Sequence, residues 1–243
     1  MPLAEVVIHD DTLDPNIQRI YGSHPHGVGS LHHMGMMMCP PVCVPGKSFE
    51  AICPGAARRE LGASVLFRIP LVRELALGLG CCDAGRAVVE RVLAAGMSIG
   101  LMVGGEQEQL LAQRGEHTVY VAKRKGIMKL ALRHGVPLVP CYCFGETDTY
   151  HQSCLALGLR QWLASSFGIA IPLAYGSSIL LPFLPIPTKL VQVVGTPINV
   201  EQVDQPTQEQ IDALHAKYVC GLRAVFDAHK VRLGYPEATL RVV

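Results

Sequence analysis

Charge is scarce in this chain. Of its 243 residues only 17% are Asp, Glu, Lys or Arg, against 49% hydrophobic, and the formal net charge is +1. Near neutrality excludes a global field that would recruit nucleic acid or an acidic surface, so any polyanion must be bound locally. The nine cysteines (39, 43, 53, 81, 82, 141, 143, 154 and 220) contain no Cys-x-x-Cys pair, which argues against a structural zinc site. Their odd count, without a regular framework, suits reduced core thiols of a chain facing the cytosol. No Gly-x-Ser-x-Gly elbow is present, which speaks against a serine hydrolase. The first residues, Met1 to Glu5, carry neither the basic nor the apolar stretch of a secretory leader. Repeats, low-complexity tracts and flexible linkers are missing too, so residues 1–243 are expected to form one unit.

Charge is missing altogether between Arg160 and Lys189. A run of this length would suit a membrane-spanning helix. Pro172, Pro182, Pro185 and Pro187, with Gly168 and Gly176, would break such a helix repeatedly. The segment is therefore expected to be an apolar loop. Two readings stand level: a lipid-facing wall at a membrane interface, or a hydrophobic loop buried in a core.

What is present alternates between strand and helix patterns. Ile17–Tyr21 reads as a short strand, and Ser30–Met38 as the start of a helix. Asp83 is the expected N-cap of a helix over 84–95, whose Val88, Val89, Val92 and Leu93 form a stripe ending at Gly96. Met97–Val103 reads as a buried strand stopping at Gly104-Gly105. Ile127–His134 reads as a helix closed by Gly135, with its cationic residues in the last turn. Val136–Phe144 is the next strand, which Pro137 and Pro140 predict to be bulged or at a sheet edge. Val191–Val194 is another. Thr207-Gln-Glu-Gln210 is a capping box for a helix whose Ile211, Leu214, Tyr218, Leu222, Val225 and Phe226 recur at helical spacing. The alternation predicts an α/β fold with a mixed sheet flanked by helices, its functional residues on strand-end loops.

Three such loops carry chemistry. His24-Pro-His26-Gly27 puts two imidazoles one residue apart on a proline-pinned, glycine-flanked backbone, and neutral imidazole accepts protons near pH 7. The plainer alternative is a turn with two hydrogen-bonded histidines. Gly104-Gly105 exposes backbone amides beside Glu106 and Glu108, residues that a helix dipole alone would explain. Phe144-Gly-Glu146 ends a further strand. Lys123-Arg124-Lys125, before the helix beginning at Gly126, suits phosphate, although such a run is also an ordinary solvated surface. His24, His26, His32 and His33 lie within ten residues, but without a Cys or carboxylate at ligand spacing they make a weak metal signature, and no metal is expected.

In ordered blocks the chain resembles the diacylglycerol acyltransferase type 2 and monoacylglycerol acyltransferase family. The blocks are His24–Gly27; Phe67-Arg-Ile-Pro-Leu-Val-Arg-Glu; Val103-Gly-Gly-x-x-Glu108; and Arg124-Lys-Gly-x-x-Lys-Leu-Ala-Leu-Arg-His-Gly, running on to Leu138-Val-Pro and Phe144-Gly-Glu146. The last runs from Pro206-Thr-Gln through Phe226-Asp-x-His-Lys to Gly234-x-Pro-Glu237. Together they cover nearly everything from Tyr21 onward. The resemblance implies a glycerolipid-acyltransferase-like fold and transfer of a fatty acyl group from acyl-CoA to a neutral acceptor hydroxyl, typically diacylglycerol, giving triacylglycerol. Monoacylglycerol or a long-chain alcohol is the alternative acceptor; a truncated, inactive lipid-binding member is the non-enzymatic alternative.

An alcohol attacking a thioester needs a base, and His26 is the expected one, with His24 as substitute or as the residue that positions it. Related glycerolipid acyltransferases place an Asp five residues after their His; here those positions hold Leu31 and Gly29. Glu108 is therefore the candidate to orient the imidazole, with Glu146 second. Backbone amides at Gly27, Gly104 or Gly105 are candidates for an oxyanion hole. Arg68, Lys123, Arg124 and Lys125 are candidates for the CoA phosphates. No cofactor is expected beyond acyl-CoA as co-substrate. The implied partners are a neutral lipid acceptor and a membrane or lipid-droplet surface, with a homo-oligomer left open and nucleic acid excluded. The implied place is the cytosolic face of the endoplasmic reticulum membrane. Two features depart from the family: only 23 residues precede His24, where an apolar hairpin is usual, and Glu106-Gln107 replace small residues after Gly104-Gly105.

Overall fold

A computed structural model describes residues 4–8, 13–34, 48–49, 57–167 and 170–243. In chain order the elements are β1 (Ala4–Ile8), β2 (Ile20–His24), β3 (Arg58–Gly62), α1 (Val72–Gly78), β4 (Cys81–Asp83), α2 (Arg86–Ala94), β5 (Ser98–Met102) and α3 (Gly105–Leu111). They continue with β6 (Thr118–Val119), α4 (Gly126–His134), β7 (Leu138–Phe144), β8 (His151–Gln152), α5 (Leu157–Phe167), β9 (Ala174–Tyr175), β10 (Leu190–Val194), α6 (Gln208–Lys230) and β11 (Arg241–Val242). Seven strands form one sheet in the order β1-β10-β7-β2-β5-β3-β4. β7, β2, β5, β3 and β4 are mutually parallel, β10 opposes β7, and β1 runs with β10. The chain thus has the expected α/β architecture with a mixed sheet.

Because β2, β5 and β7 are parallel neighbours, their carboxyl ends share one edge. The loops leaving that edge are the His24–Gly29, Gly104-Gly105 and Gly145-Glu146 loops. Open α/β sheets bind ligands outside the carboxyl ends of their strands.

Helix α6 sets the position of β2. Its cap is reciprocal: Gln210 N donates to Thr207 Oγ1 at 3.3 Å, and Thr207 N donates to Gln210 Oε1 at 2.9 Å. Its apolar stripe is buried, and the Tyr218 hydroxyl donates to the Gly22 carbonyl at 3.0 Å. A methyl on Gly22 would overlap that hydroxyl. Glycine is required there so that helix and strand can touch two residues before His24.

Several expectations need correction. The second strand runs from Ile20 through His24, later than Ile17–Tyr21, so the first histidine belongs to the sheet. β7 is neither an edge nor bulged: it lies between β10 and β2, and all seven residues are buried. Pro140 is tolerated because it stands one residue past the last β7–β10 pair, Val194↔Cys141, where its carbonyl accepts from Gly195 N at 2.9 Å. Pro137 precedes the strand, and its carbonyl accepts from Ile20 N. Asp83 closes β4 instead of capping α2; its carboxylate accepts from Gly85 N at 2.6 Å and Ser64 Oγ at 2.5 Å, while Gly85 is the N-cap residue. Of the helix expected over Ser30–Met38, residues 30–34 are described, and a helical turn covers 31–34.

The charge-free segment is not a core loop. Leu180 is 90% exposed and Phe183 91%, and Trp162, Phe167 and Ile179 are exposed with them. A second exposed apolar group, Leu71, Leu75 and Leu77, lies on and beside α1. Among the described residues no helix is long and apolar enough to cross a membrane.

Candidate active site

β2 ends on His24, and a cis peptide bond joins it to Pro25. The loop then turns at Gly27 (φ +63°), where an added methyl would come within 2.5 Å of the Glu146 side chain. Two buried carboxylates hold this loop from opposite ends.

Glu108, on α3, takes the first end. Its Oε2 lies 3.0 Å from His24 Nδ1 and accepts from Tyr120 N at 2.6 Å; its Oε1 accepts from His26 N at 2.7 Å. Burial works to raise the Glu108 carboxyl, but the His24 ring, the Tyr120 amide and His26 outweigh it, and the group stays below the usual carboxylate range. A methyl on Gly104 would overlap Glu108, so the glycine after β5 makes room for the carboxylate. Glu146, in the turn after β7, takes the other end. Its Oε1 accepts from Leu31 N, and its Oε2 from His32 N and lies by His32 Nδ1, each at 2.9 Å.

The sequence-derived candidates therefore meet, in an arrangement of their own. Glu108 grips the ring of His24 and reaches His26 only through its backbone amide. His24 is fully buried, and among the described residues its Nε2 has no hydrogen-bond partner. His26 is partly exposed. Its Nδ1 lies 3.0 Å from the Gly27 carbonyl and 3.0 Å from Ser30 Oγ. With Nδ1–H donated to that carbonyl, Nε2 carries the lone pair, with Ser30 Oγ 3.4 Å from it. Burial lowers the His26 pKa below the ordinary imidazole value, against the opposing pull of the Gly27 carbonyl, Glu108 and Glu146. The shift favours the neutral ring.

The cationic candidates are dispersed. Lys125 Nζ pairs with Asp212 at 2.6 Å, and Arg124 Nη2 donates to the Gly104 carbonyl at 3.2 Å while its guanidinium lies over the Tyr120 ring. Lys123 is exposed. Lys123 and Arg124 border a cavity of about 330 Å³, whose wall also includes Glu106, Tyr120 and Ser165. Burial raises the Glu106 carboxyl, opposed by Arg124. Arg68 lies exposed in the turn after β3.

Sequence reasoning missed Ser30, Tyr120 and the structural use of His32. Tyr120 contributes a backbone amide, which leaves no trace in residue type. His32, with Cys143 and Glu146, brings ligand atoms within 4.8 Å of one another. Both Glu146 oxygens already serve N–H donors, and the Cys143 thiol donates to the Phe144 carbonyl at 3.6 Å.

A family model described as diacylglycerol acyltransferase matches residues 2–243. The chain belongs to the diacylglycerol acyltransferase family. It is 36% identical over 234 residues to a Diacylglycerol O-acyltransferase 1 of Eremothecium gossypii, covering 92% of this chain and 50% of that one. It is 34% identical to the mouse 2-acylglycerol O-acyltransferase 1, covering 97% and 72%, and 32% identical to the human Acyl-CoA wax alcohol acyltransferase 1, covering 95% and 72%. The chain thus spans half the length of the fungal relative and about seven-tenths of the other two. The acyltransferase blocks read from the sequence all fall within the matched family region.

Proposed function

We propose that this family member transfers a fatty acyl group from acyl-CoA to diacylglycerol at the cytosolic face of the endoplasmic reticulum membrane or a lipid-droplet surface. The observation that carries the reading is the clamped, partly exposed His26. Its Nδ1 is tied to the Gly27 carbonyl, its amide to Glu108, and its neutral Nε2 is left as a base.

In this mechanism the acceptor hydroxyl attacks the thioester carbonyl as His26 Nε2 removes its proton. Amides of Gly27, Gly104 or Gly105 receive the oxyanion. The new C–O ester bond forms, the C–S bond breaks, and His26 returns the proton to the departing CoA thiolate. His24 and Glu108 act as positioning residues, because neither is exposed to a substrate. The exposed Ile179–Leu184 tip supports a lipid-facing role for the charge-free segment, since isolated apolar patches of this kind mark membrane or partner contacts. Glu106 in the cavity wall favours a second reading: monoacylglycerol, whose additional hydroxyl could donate to that carboxylate.

The test is transfer from labelled oleoyl-CoA in microsomes of cells lacking their own triacylglycerol synthesis. Di- and monoacylglycerol are offered separately to wild type and His26→Ala. Wild type is expected to make triacylglycerol, and His26→Ala to lose roughly 10²–10⁴ in rate. Absence of product from well-expressed, membrane-bound wild type would point to an inactive, lipid-binding member.

A further inference from the structure

A second cavity, of about 250 Å³, opens between α2 and α4. Arg86, Lys129 and Arg133 stand around it, over an apolar floor that includes Val89 and Leu130. Glu90, on α2, bridges to Arg133 on α4. It accepts from Arg86 Nε at 3.0 Å and from Arg133 Nη1 at 2.6 Å. Three cations stand against two carboxylates, Glu90 and the neighbouring Asp83, which leaves one positive charge in excess. Asp83, at the end of β4 beside Ala84, accepts from Ser64 and Gly85 and keeps its negative charge.

The groove's place in the fold is informative. α2 follows β4 and α4 precedes β7, so both helices begin at the carboxyl edge of the parallel strands, the edge that carries His26. Val89 and Ile127 belong to the same core cluster as Ile20, Ile99 and Tyr218, so both helices cover one sheet face with α6. The His24 ring is 6.1 Å from that of Tyr218, on this same face. From β2 to β4 the sheet crosses three strand spacings, or roughly 15 Å. An extended pantetheine arm bridges such a span. The turn 123–126 lies between the two cavities, with Lys123 and Arg124 on one and Gly126 on the other.

We propose that the groove between α2 and α4 binds the adenosine bisphosphate end of acyl-CoA, its purine over Val89 and Leu130 and its phosphates on Arg86, Lys129 and Arg133. The thioester arm then crosses the 123–126 turn to His26. This rests on the acyl-CoA reading above, and it places the phosphates in the groove, where Arg86 and Arg133 share the single carboxylate of Glu90 and Lys129 is exposed. Guanidinium groups match phosphate geometry in pairs, and an exposed lysine adds a point charge.

The decisive measurement is calorimetric binding of adenosine 3′,5′-bisphosphate to the full chain, alongside KM values for oleoyl-CoA and acceptor. Wild type should bind the bisphosphate, and acyl-CoA should displace it. Lys129→Glu should weaken binding and raise the acyl-CoA KM by roughly tenfold or more, leaving the acceptor KM unmoved, while Lys129→Arg should restore both. Lys129 is exposed on α4, so these variants leave the core intact. Unchanged binding and KM in Lys129→Glu, or no bisphosphate binding by wild type, would overturn the proposal. Bisphosphate binding that depends on Lys129, in a chain that transfers no acyl group, would uphold the groove and count against the proposed reaction alone.

Discussion

The Glu108 carboxylate lies 3.0 Å from His24 Nδ1 with both side chains wholly shielded from solvent, and its other oxygen accepts the His26 amide. The ring gripped by the carboxylate is therefore not the ring that is partly exposed. His24 and Glu108 make a buried brace, and His26 is the residue that the brace presents.

This division of labour separates three variants. His26→Ala should remove transfer with little change in Tm. His24→Ala opens a cavity and leaves a buried carboxylate short of a partner, which costs about 3 kcal/mol, or about 10 °C in Tm for a chain of this size. Glu108→Gln sets an amide N–H₂ against donors and should lower both stability and rate. Thermal unfolding together with the transfer assay distinguishes them. Full activity in Glu108→Gln would dismiss the brace.

Two glycines are predicted to be intolerant for steric reasons. Gly27→Ala would drive a methyl into Glu146 at a positive φ, and Gly104→Ala would drive one into Glu108. Each should lower activity at least tenfold, through displacement of the His26 loop. Gly158→Ala, on α5, is the control: nothing lies within 4 Å, so it should be neutral or slightly stabilising. Equal tolerance at all three positions would contradict the clamped loop.

Acid should destabilise the fold through buried imidazoles. Burial pushes His33 down to about 4, against the pull of Glu60; His32, Arg58 and His26 also lower it. The unfolded chain takes up this proton near pH 6.5 and the folded chain only near 4, so unfolding gains protons in between. Stability is fully present above that window and falls as pH drops through it, by about 2 kcal/mol at pH 5 relative to pH 7. The lowered pKa values of His26 and His117 act in the same direction. Denaturant titrations of wild type and His33→Gln at the two pH values check this; an identical pH slope in the variant would refute it. For transfer itself, kcat/KM should hold down to pH values below the ordinary imidazole range before falling, because the His26 pKa is lowered.

The apolar tip should matter for lipid and not for folding. Leu180→Asp with Phe183→Ser replaces side chains that are about nine-tenths exposed, so Tm should move by less than 2 °C. Affinity for phosphatidylcholine vesicles, read by co-sedimentation, should fall by about a hundredfold or more, since each apolar side chain withdrawn from a lipid interface forfeits about 1.5–3 kcal/mol. Undiminished sedimentation would assign the tip another role.

Local sequence determined much of this molecule. The Thr207–Gln210 box, the stripe from Ile211 to Phe226 and the Gly135 stop are written in residue types within one or two turns, and the helices form where those signals stand. The three chemical loops were legible for the same reason: glycines after apolar runs mark strand ends. Strand boundaries and the place of β7 were less legible, because whether a proline damages a ladder depends on where the neighbouring strand stops.

Pairing was what the chain could not reveal by itself. Glu108 and His24 are 84 positions apart, and Glu146 and His32 are 114. Only the parallel order β7-β2-β5 brings their loops to one edge. Residue chemistry named the histidines and the carboxylates. The tertiary structure decided which ring each carboxylate holds, that the apolar tip at Ile179–Leu184 faces outward, and that Arg86 and Arg133 meet across Glu90. Such contacts depend on distance in space, and distance along the chain does not encode it.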